Sequence, residues 1–148
     1  MMMDPRVTKN LTHGVYLVGT KVGEKRNLMT LAWLMQSSSS PLMISLAVSV
    51  RHLTTELLRK SNLFSVSILR PAQKDIAKKC GTISGRTADK TASLALEDGP
   101  EGLPILKDAA GWLVCRKTAE VPCGDHIVFM AEVIDSAVQG DDAMVYRS

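Results

Sequence analysis

The sequence predicts a mostly β domain with short helical insertions, and three observations lead there. Leu42 to Val50 alternates strictly: Leu42, Ile44, Leu46, Val48 and Val50 fall on one face, Met43, Ser45, Ala47 and Ser49 on the other. That period of two marks a half-buried strand. About seven apolar runs follow one another at short, even spacing between Gly, Pro and Ser turns, which points to a closed barrel or a sandwich. The chain of 148 residues, 45% of them hydrophobic, suits one domain with a full core, residues 1–148, without internal repeat or linker. Aromatics make up only 4%, so methionines and small aliphatics must fill much of that core.

The elements follow in order. Val15 to Val18 reads as a first strand, and Lys21 to Asn27, with Gly23 among charges, as a hairpin loop. Leu28 to Gln36 is a second apolar segment and holds Trp33. Ser37 to Ser40 with Pro41 reads as a turn into the alternating third strand. Leu53 to Lys60 predicts a short helix with Leu53, Leu57 and Leu58 inward. Phe64 to Leu69 predicts a fourth strand in which Phe64, Val66 and Ile68 alternate with Ser65 and Ser67. Pro71 and Gly81 bracket a helix over Ala72 to Cys80, with Cys80 a small buried apolar residue near its end. Gly81 to Pro104 is the least regular stretch, with one helix over Asp89 to Leu96; loops this long are often functional. Trp112 to Thr118 and His126 to Val138 predict two more strands joined through Val121 to Asp125. A last strand, Ala143 to Tyr146, is expected to pair back across the turn at Gln139 to Asp142.

Charge and composition exclude several classes. The net charge is +3 and the basic residues are scattered, with no run or aromatic-interleaved stripe to hold nucleic acid. Cys80, Cys115 and Cys123 are an odd set with no close pair, which argues against a disulfide framework and for a reducing, cytoplasmic setting. No apolar signal core follows the N-terminal methionines, and the longest apolar run falls well short of the ~20 residues of a membrane helix. Cys123-x-x-His126 has metal-ligand spacing, but no second paired motif completes a set of three or four, so no metal is expected. Neither a dinucleotide-type nor a P-loop-type glycine motif is present, and no serine sits in G-x-S-x-G.

One arrangement does suggest chemistry. The small face of the third strand, Ser45-Ala47-Ser49, leaves room for a flat ligand and leads into Arg51, His52, Thr54 and Thr55 at a helix start. Helix N-termini favour anions, so a narrow ledge ending in phosphate-type donors suits a mononucleotide. The same residues also describe an antiparallel strand with a polar solvent face followed by a capped helix.

The order of motifs decides between these readings. Asn27-Leu28-Met29-Thr30-Leu31-Ala32-Trp33, a Ser-rich turn, Pro41-Leu42 and Arg51-x-x-Thr54-x-x-Leu57 come first. Phe64 to Leu69, Gln73, Gly85-Arg86-x-x-Asp89-Lys90, Leu103-Pro104-x-Leu106 and Gly124-Asp125-His126 follow. Together, from about Gly14 to Tyr146, they resemble the flavin reductase-like proteins, the FMN-binding split-barrel family. The resemblance implies an antiparallel Greek-key split barrel of six or seven strands that forms a homodimer. It implies that NAD(P)H passes a hydride to bound FMN, with FAD as the other possible flavin. The electrons then go to free flavin, ferric iron, a redox protein or a partner monooxygenase. It implies that Asn27, Leu28, Met29, Thr30 and Ala32, with Ser45, Leu46, Ala47, Val48 and Ser49, line the ring and ribityl chain. In that scheme Thr30 and Ser45 donate hydroxyls, and the amides of Leu46 to Val48 meet the pyrimidine edge. Thr54 and Lys90 bind the phosphate, with Arg51 or Arg86 as additional donors, and His126 positions the nicotinamide. Two other outcomes stay open: a flavoredoxin-like carrier with little NAD(P)H activity, and a non-catalytic ligand-binding dimer. The last is kept open by Ser38-Ser39-Ser40-Pro41, where the family more usually has Val-Ser-x-Asp-Pro-Pro.

Overall fold

A computed structural model describes residues 2–86 and 88–147. After a 3-10 turn at Pro5–Asn10, the chain forms β1 (His13–Gly14), β2 (Tyr16–Val22), β3 (Lys25–Leu31), β4 (Leu34–Ser39) and β5 (Leu42–Ser49). Helix α1 (Leu53–Lys60), β6 (Leu63–Ile68) and α2 (Lys74–Thr82) follow. Then come the short β7 (Leu96–Asp98) and β8 (Pro104–Leu106), the long hairpin β9 (Gly111–Cys123) and β10 (His126–Val138), and β11 (Val145–Tyr146). Seven strands form one antiparallel sheet in the order β3-β2-β6-β9-β10-β5-β4.

Closure follows from chain connectivity. The two edge strands, β3 and β4, are consecutive in sequence, with only Ala32 and Trp33 between them. Three Cα steps span at most about 11 Å. The sheet must therefore curl until its edges nearly meet, leaving a seam beside Ala32 and Trp33. That is a split barrel, as the resemblance implied.

Alternation sorts side chains to the two sides of the wall. Val18, Met29, Ile44, Leu46, Val48, Phe64, Val66 and Phe129 fill the barrel interior, and Leu58 of α1 joins them. Leu17, Leu28, Leu69 and Cys80 form a second cluster outside the barrel, where α2 packs on β3. Cys80 is buried there as expected. Helix α1 has the expected bounds, and its buried side includes Thr54 and Thr55 beside Leu57 and Leu58.

Several expectations need correction. The hairpin at Gly23 is tight rather than a loop, because Gly23 takes φ +60 and the ladder runs to Val22↔Lys25. Leu28 to Gln36 is broken at Ala32–Trp33, where the chain crosses the seam. Ser37 to Ser39 lie in β4, since pairing with β5 extends to Ser39↔Leu42 and confines the turn to Ser40-Pro41. Helix α2 begins after a 3-10 turn at Pro71–Gln73 and runs through Gly81 to Thr82. Asp89 to Leu96 is not one helix: the Asp89 side chain caps a 3-10 turn at Lys90–Ser93, and the chain then extends into β7. Strand β9 runs five residues beyond Thr118, to Cys123, because its whole length pairs with β10. Strand β11 pairs with β1, not across the preceding turn.

Ser65 and Ser67 are fully buried. The β8 segment crosses them: Ser65 Oγ donates to the Pro104 carbonyl (2.6 Å), and the Leu106 amide donates to Ser67 Oγ (3.0 Å). Buried hydroxyls are tolerated when partnered in this way. Among the described residues no helix is long and apolar enough to cross a membrane.

Candidate functional site

Three adjoining cavities run along the seam and share Thr30. The first, about 210 Å³, lies between β3, the start of α1 and the segment Cys80–Gly85, with Lys90 in its wall. The second, about 260 Å³, lies between Thr30–Trp33 and Ala47, Ser49, His52 and His126. The third, about 630 Å³, lies between α2 and the C-terminal segment. Together they form one trough along the edge strand β3, lined by Asn27 and Met29 from its barrel side and by Thr30 from its outer side.

Two joints hold the trough in shape. Asn27 Nδ2 donates to Thr54 Oγ1 (3.0 Å), both side chains being buried, and so ties β3 to the first turn of α1. Gly85 sits against the same carboxamide; a Cβ there would come within 2.2 Å of Asn27 Oδ1. Thr30 Oγ1 donates to the Ala77 carbonyl (2.6 Å) and so pins α2 to β3. The Thr30 proton is spent on that bond, which corrects the expectation that this hydroxyl donates to a ligand.

At one end the trough is cationic. Lys90 is 4% exposed, and its Nζ donates to the Cys80 carbonyl (3.3 Å). Burial pushes its ammonium below the usual lysine range. Arg51 and His52 line the same cavity beside Thr54. Burial also lowers the His52 imidazole, and the positive charges of His126 and Lys90 act in the same direction. Arg86 does not join them: its guanidinium pairs with the Glu56 carboxylate at 2.6 and 3.2 Å. This corrects its assignment as an additional phosphate donor: Arg86 stands outside the walls of the cavity and is engaged at Glu56.

At the other end the trough is aromatic. The His126 ring lies 4.6 Å from the Trp33 ring, tilted by 34°. Its Nδ1 lies 2.6 Å from Asp125 Oδ1, and the hydrogen bond to His126 holds the Asp125 carboxyl below its ordinary range. The Val50 amide donates to the Asp125 carbonyl, so the turn after β5 and the β9–β10 turn are tied together beneath this pair.

Met29, Ala32, Ala47 and Ser49 line the trough. Leu28, Leu46 and Val48 do not turn their side chains to it; all three are buried in core clusters. The Ala47 amide is donated to the Trp33 carbonyl (2.9 Å), which corrects its assignment to a ligand's pyrimidine edge. Ser45 stands outside the three cavities, because β4 flanks it through Met35 on one side and β10 through Met130 on the other. Ser49 Oγ accepts from the Arg51 amide (3.3 Å), a local turn bond. Among the described residues no group of three His, Cys, Asp or Glu side chains converges on a metal position.

Some lining residues were missed from the sequence. The segment Gly81–Gly85 carries only the signal of an irregular, glycine-punctuated stretch. Tyr146 gives no local signal; it reaches the trough because β11 pairs with β1 and the Met144 amide donates to the Leu69 carbonyl.

Residues 8–148 match the family described as flavin reductase like domain. The chain belongs to that family. It is 30% identical to the 4-hydroxyphenylacetate 3-monooxygenase reductase component of Thermus thermophilus, over 90% of this chain and 84% of that protein. It is likewise 30% identical to the high molecular weight rubredoxin of Moorella thermoacetica, over 92% of this chain. It spans only 60% of that rubredoxin's length, and smaller shares of several longer curated relatives. An FMN-binding protein of Thermus thermophilus, crystallised with bound p-hydroxybenzaldehyde, superposes with a TM-score of 0.91 at 26% identity. That match covers 100% of this chain and 89% of the other. That neighbour is an FMN-binding protein, so a flavin is the cofactor to weigh against the trough. The donor set of the trough fits such a cofactor: a flavin mononucleotide needs a flat slot and cations at one end, and the buried Lys90 ammonium lies beside Arg51 and Thr54.

Proposed function

We propose that residues 1–148 form one FMN-binding domain that takes electrons from NAD(P)H and delivers them to a small-molecule or protein acceptor. The observation that carries this reading is the trough, with a buried ammonium at one end and a histidine tilted against a tryptophan at the other. When bound, a flavin supplies the redox chemistry, accepting a hydride from the nicotinamide and passing both electrons to the acceptor.

The chain's own residues bind and orient. Lys90 and Arg51 neutralise the phosphate, and Thr54, held by Asn27, presents its hydroxyl to it. Met29, Ala32 and Ala47 give the ring an apolar bed, while Leu28, Leu46 and Val48 shape the wall through their backbone. His126, held by Asp125 and faced by Trp33, orients the nicotinamide over the slot. A homodimer is part of this reading: Trp33, Met35 and Leu42 stand 50, 62 and 42% exposed along β4 and β5, an apolar patch of the kind that marks protein contacts. The free cysteines suit a reducing compartment, and the cytoplasm is the proposed location.

The absorbance spectrum of the purified protein tests the reading, followed by denaturation and chromatography of what is released. The expected result is a flavin spectrum, FMN at about one per chain in line with one slot between the cationic and aromatic ends, and oxidation of NAD(P)H with an added acceptor. A colourless protein that also fails to bind added FMN or FAD would sink it. Bound FMN without NAD(P)H oxidation would leave an electron carrier.

A further inference from the structure

The third cavity extends the trough beyond the flavin slot. It is about 630 Å³, within the range of a site for a sizeable ligand. Its floor is apolar, with Val15, Ala32, Ala77, Met144 and Val145. Its rim carries three cations, Lys74 and Lys78 from α2 and Arg147 from the C-terminal segment, and no carboxylate among the described residues. None of the three cations takes part in an ion pair among the described residues. Tyr146, 44% exposed, offers its ring beside them.

The fold holds these pieces together. Lys74 and Lys78 stand four residues apart on α2 and therefore share a face. The C-terminal segment is fastened opposite by the β1–β11 pair, by the Met144 amide on the Leu69 carbonyl, and by Arg70. Arg70 pairs with Asp142 and donates to the Asp108 and Gln139 carbonyls. The cavity shares Thr30 and Gly81 with the phosphate end of the slot, and Ala32 and Tyr146 with its aromatic end. A ligand seated here touches whatever occupies the slot.

An apolar floor beside an aromatic ring and under three cations with no ion pair among the described residues selects a flat group carrying several negative charges. We propose that this cavity takes the adenosine 2′-phosphate half of NADPH, with Lys74, Lys78 and Arg147 recognising the 2′-phosphate and Tyr146 the adenine. The inference rests on the reductase reading and adds a donor preference to it: NADPH over NADH. The cations are exposed, so recognition weakens with added salt.

The test compares the wild-type flavin-loaded protein with Lys78→Glu and with the double variant Lys74→Ala/Lys78→Ala. Flavin content is measured first. The wild type is expected to show the lower KM for NADPH. In the variants the NADPH-over-NADH preference falls about five- to tenfold, the size expected for two exposed ion pairs. Calorimetric titration with 2′,5′-ADP, which needs no turnover, is expected to show binding stronger than that of 5′-AMP, with the gap closed in Lys78→Glu. A wild type that prefers NADH, or a preference unmoved in both variants, overturns the inference. So does binding of an anionic aromatic such as 4-hydroxybenzoate that is lost in Lys78→Glu yet leaves NADPH binding untouched. A wild type that binds no flavin defeats the reductase reading itself; a flavin-loaded wild type with an unmoved preference defeats the inference alone.

Discussion

Replacing Lys90 by Met removes the buried ammonium and keeps most of the side-chain volume. Lys90 is 4% exposed and lies in the wall of the cavity formed by Arg51, His52 and Thr54. A hydrogen bond to a charged partner contributes about 1.5–3 kcal/mol, so the Kd for FMN is expected to rise roughly 10- to 150-fold. Riboflavin lacks the phosphate, and its Kd is expected to change less than about threefold, since it loses no such bond. The assay is quenching of flavin fluorescence on titration with apoprotein. Stability supplies an independent readout. Burial holds the ammonium below its ordinary range, so the unfolded chain keeps that proton to higher pH than the folded one. The cost of the buried charge is full below the lowered folded value. It disappears as pH rises through the window up to the ordinary lysine value of about 10.5. Apoprotein stability therefore gains from Lys90 as pH rises through that window. The buried Cys80 thiol, whose pKa is raised, acts with opposite sign above the ordinary thiol range. The difference between wild type and Lys90→Met in urea denaturation carries the lysine together with its coupling to Cys80 and His52, and it should narrow as pH rises. An FMN Kd unchanged within about threefold, or an equal loss of riboflavin affinity, would refute the placement of Lys90 at the phosphate.

Two further perturbations address the aromatic end and the frame. His126→Ala is expected to raise the KM for the nicotinamide donor several-fold while flavin content stays at the wild-type level; an unchanged KM removes the positioning role. Thr20 is fully buried on β2, and its hydroxyl has no partner among the described residues. Leaving such a group unsatisfied costs about 1–3 kcal/mol, so Thr20→Val is expected to raise the urea midpoint; a lowered midpoint would mean that water or another group satisfies the hydroxyl.

Local periodicity carried the fold a long way. The period-two pattern of Leu42–Ser49 and the apolar run after His126 read as strands because half-burial writes itself into alternation. Helix α1 was legible from the spacing of Leu53, Leu57 and Leu58. What failed needed a partner distant in sequence. Ser65 and Ser67 show in the sequence only as the small residues of an alternating strand; that β8, some forty residues on, covers them and shares hydrogen bonds with them has no local signal. Strand β11 was correctly expected near the C-terminus, yet its partner is β1, at the other end of the chain. The Ser37–Ser40 run has turn chemistry, but the β5 ladder overrides it up to Ser39.

The site shows the same division, and the reason is topological. A barrel whose edge strands are joined by two residues has its weakest wall at that junction, where neither edge has a full neighbour. Ala32 and Trp33 cross there, and the trough lies there. A sequence motif can locate β3 and the start of α1, and it located Met29, Ala32, Ala47, Thr54 and Lys90 on the trough. It cannot say which polar side chains of that motif face a ligand and which hold the frame. Asn27 reads as a lining residue and Thr30 as a ligand donor in the sequence, yet Asn27 donates to Thr54 and the Thr30 hydroxyl to the Ala77 carbonyl. Both bonds span the trough's walls, one to α1 and one to α2. The motif's polar residues thus divide between those that set the width of the slot and those that meet its contents. Only the hydrogen-bond partners, which lie 27 and 47 residues away, separate the two groups.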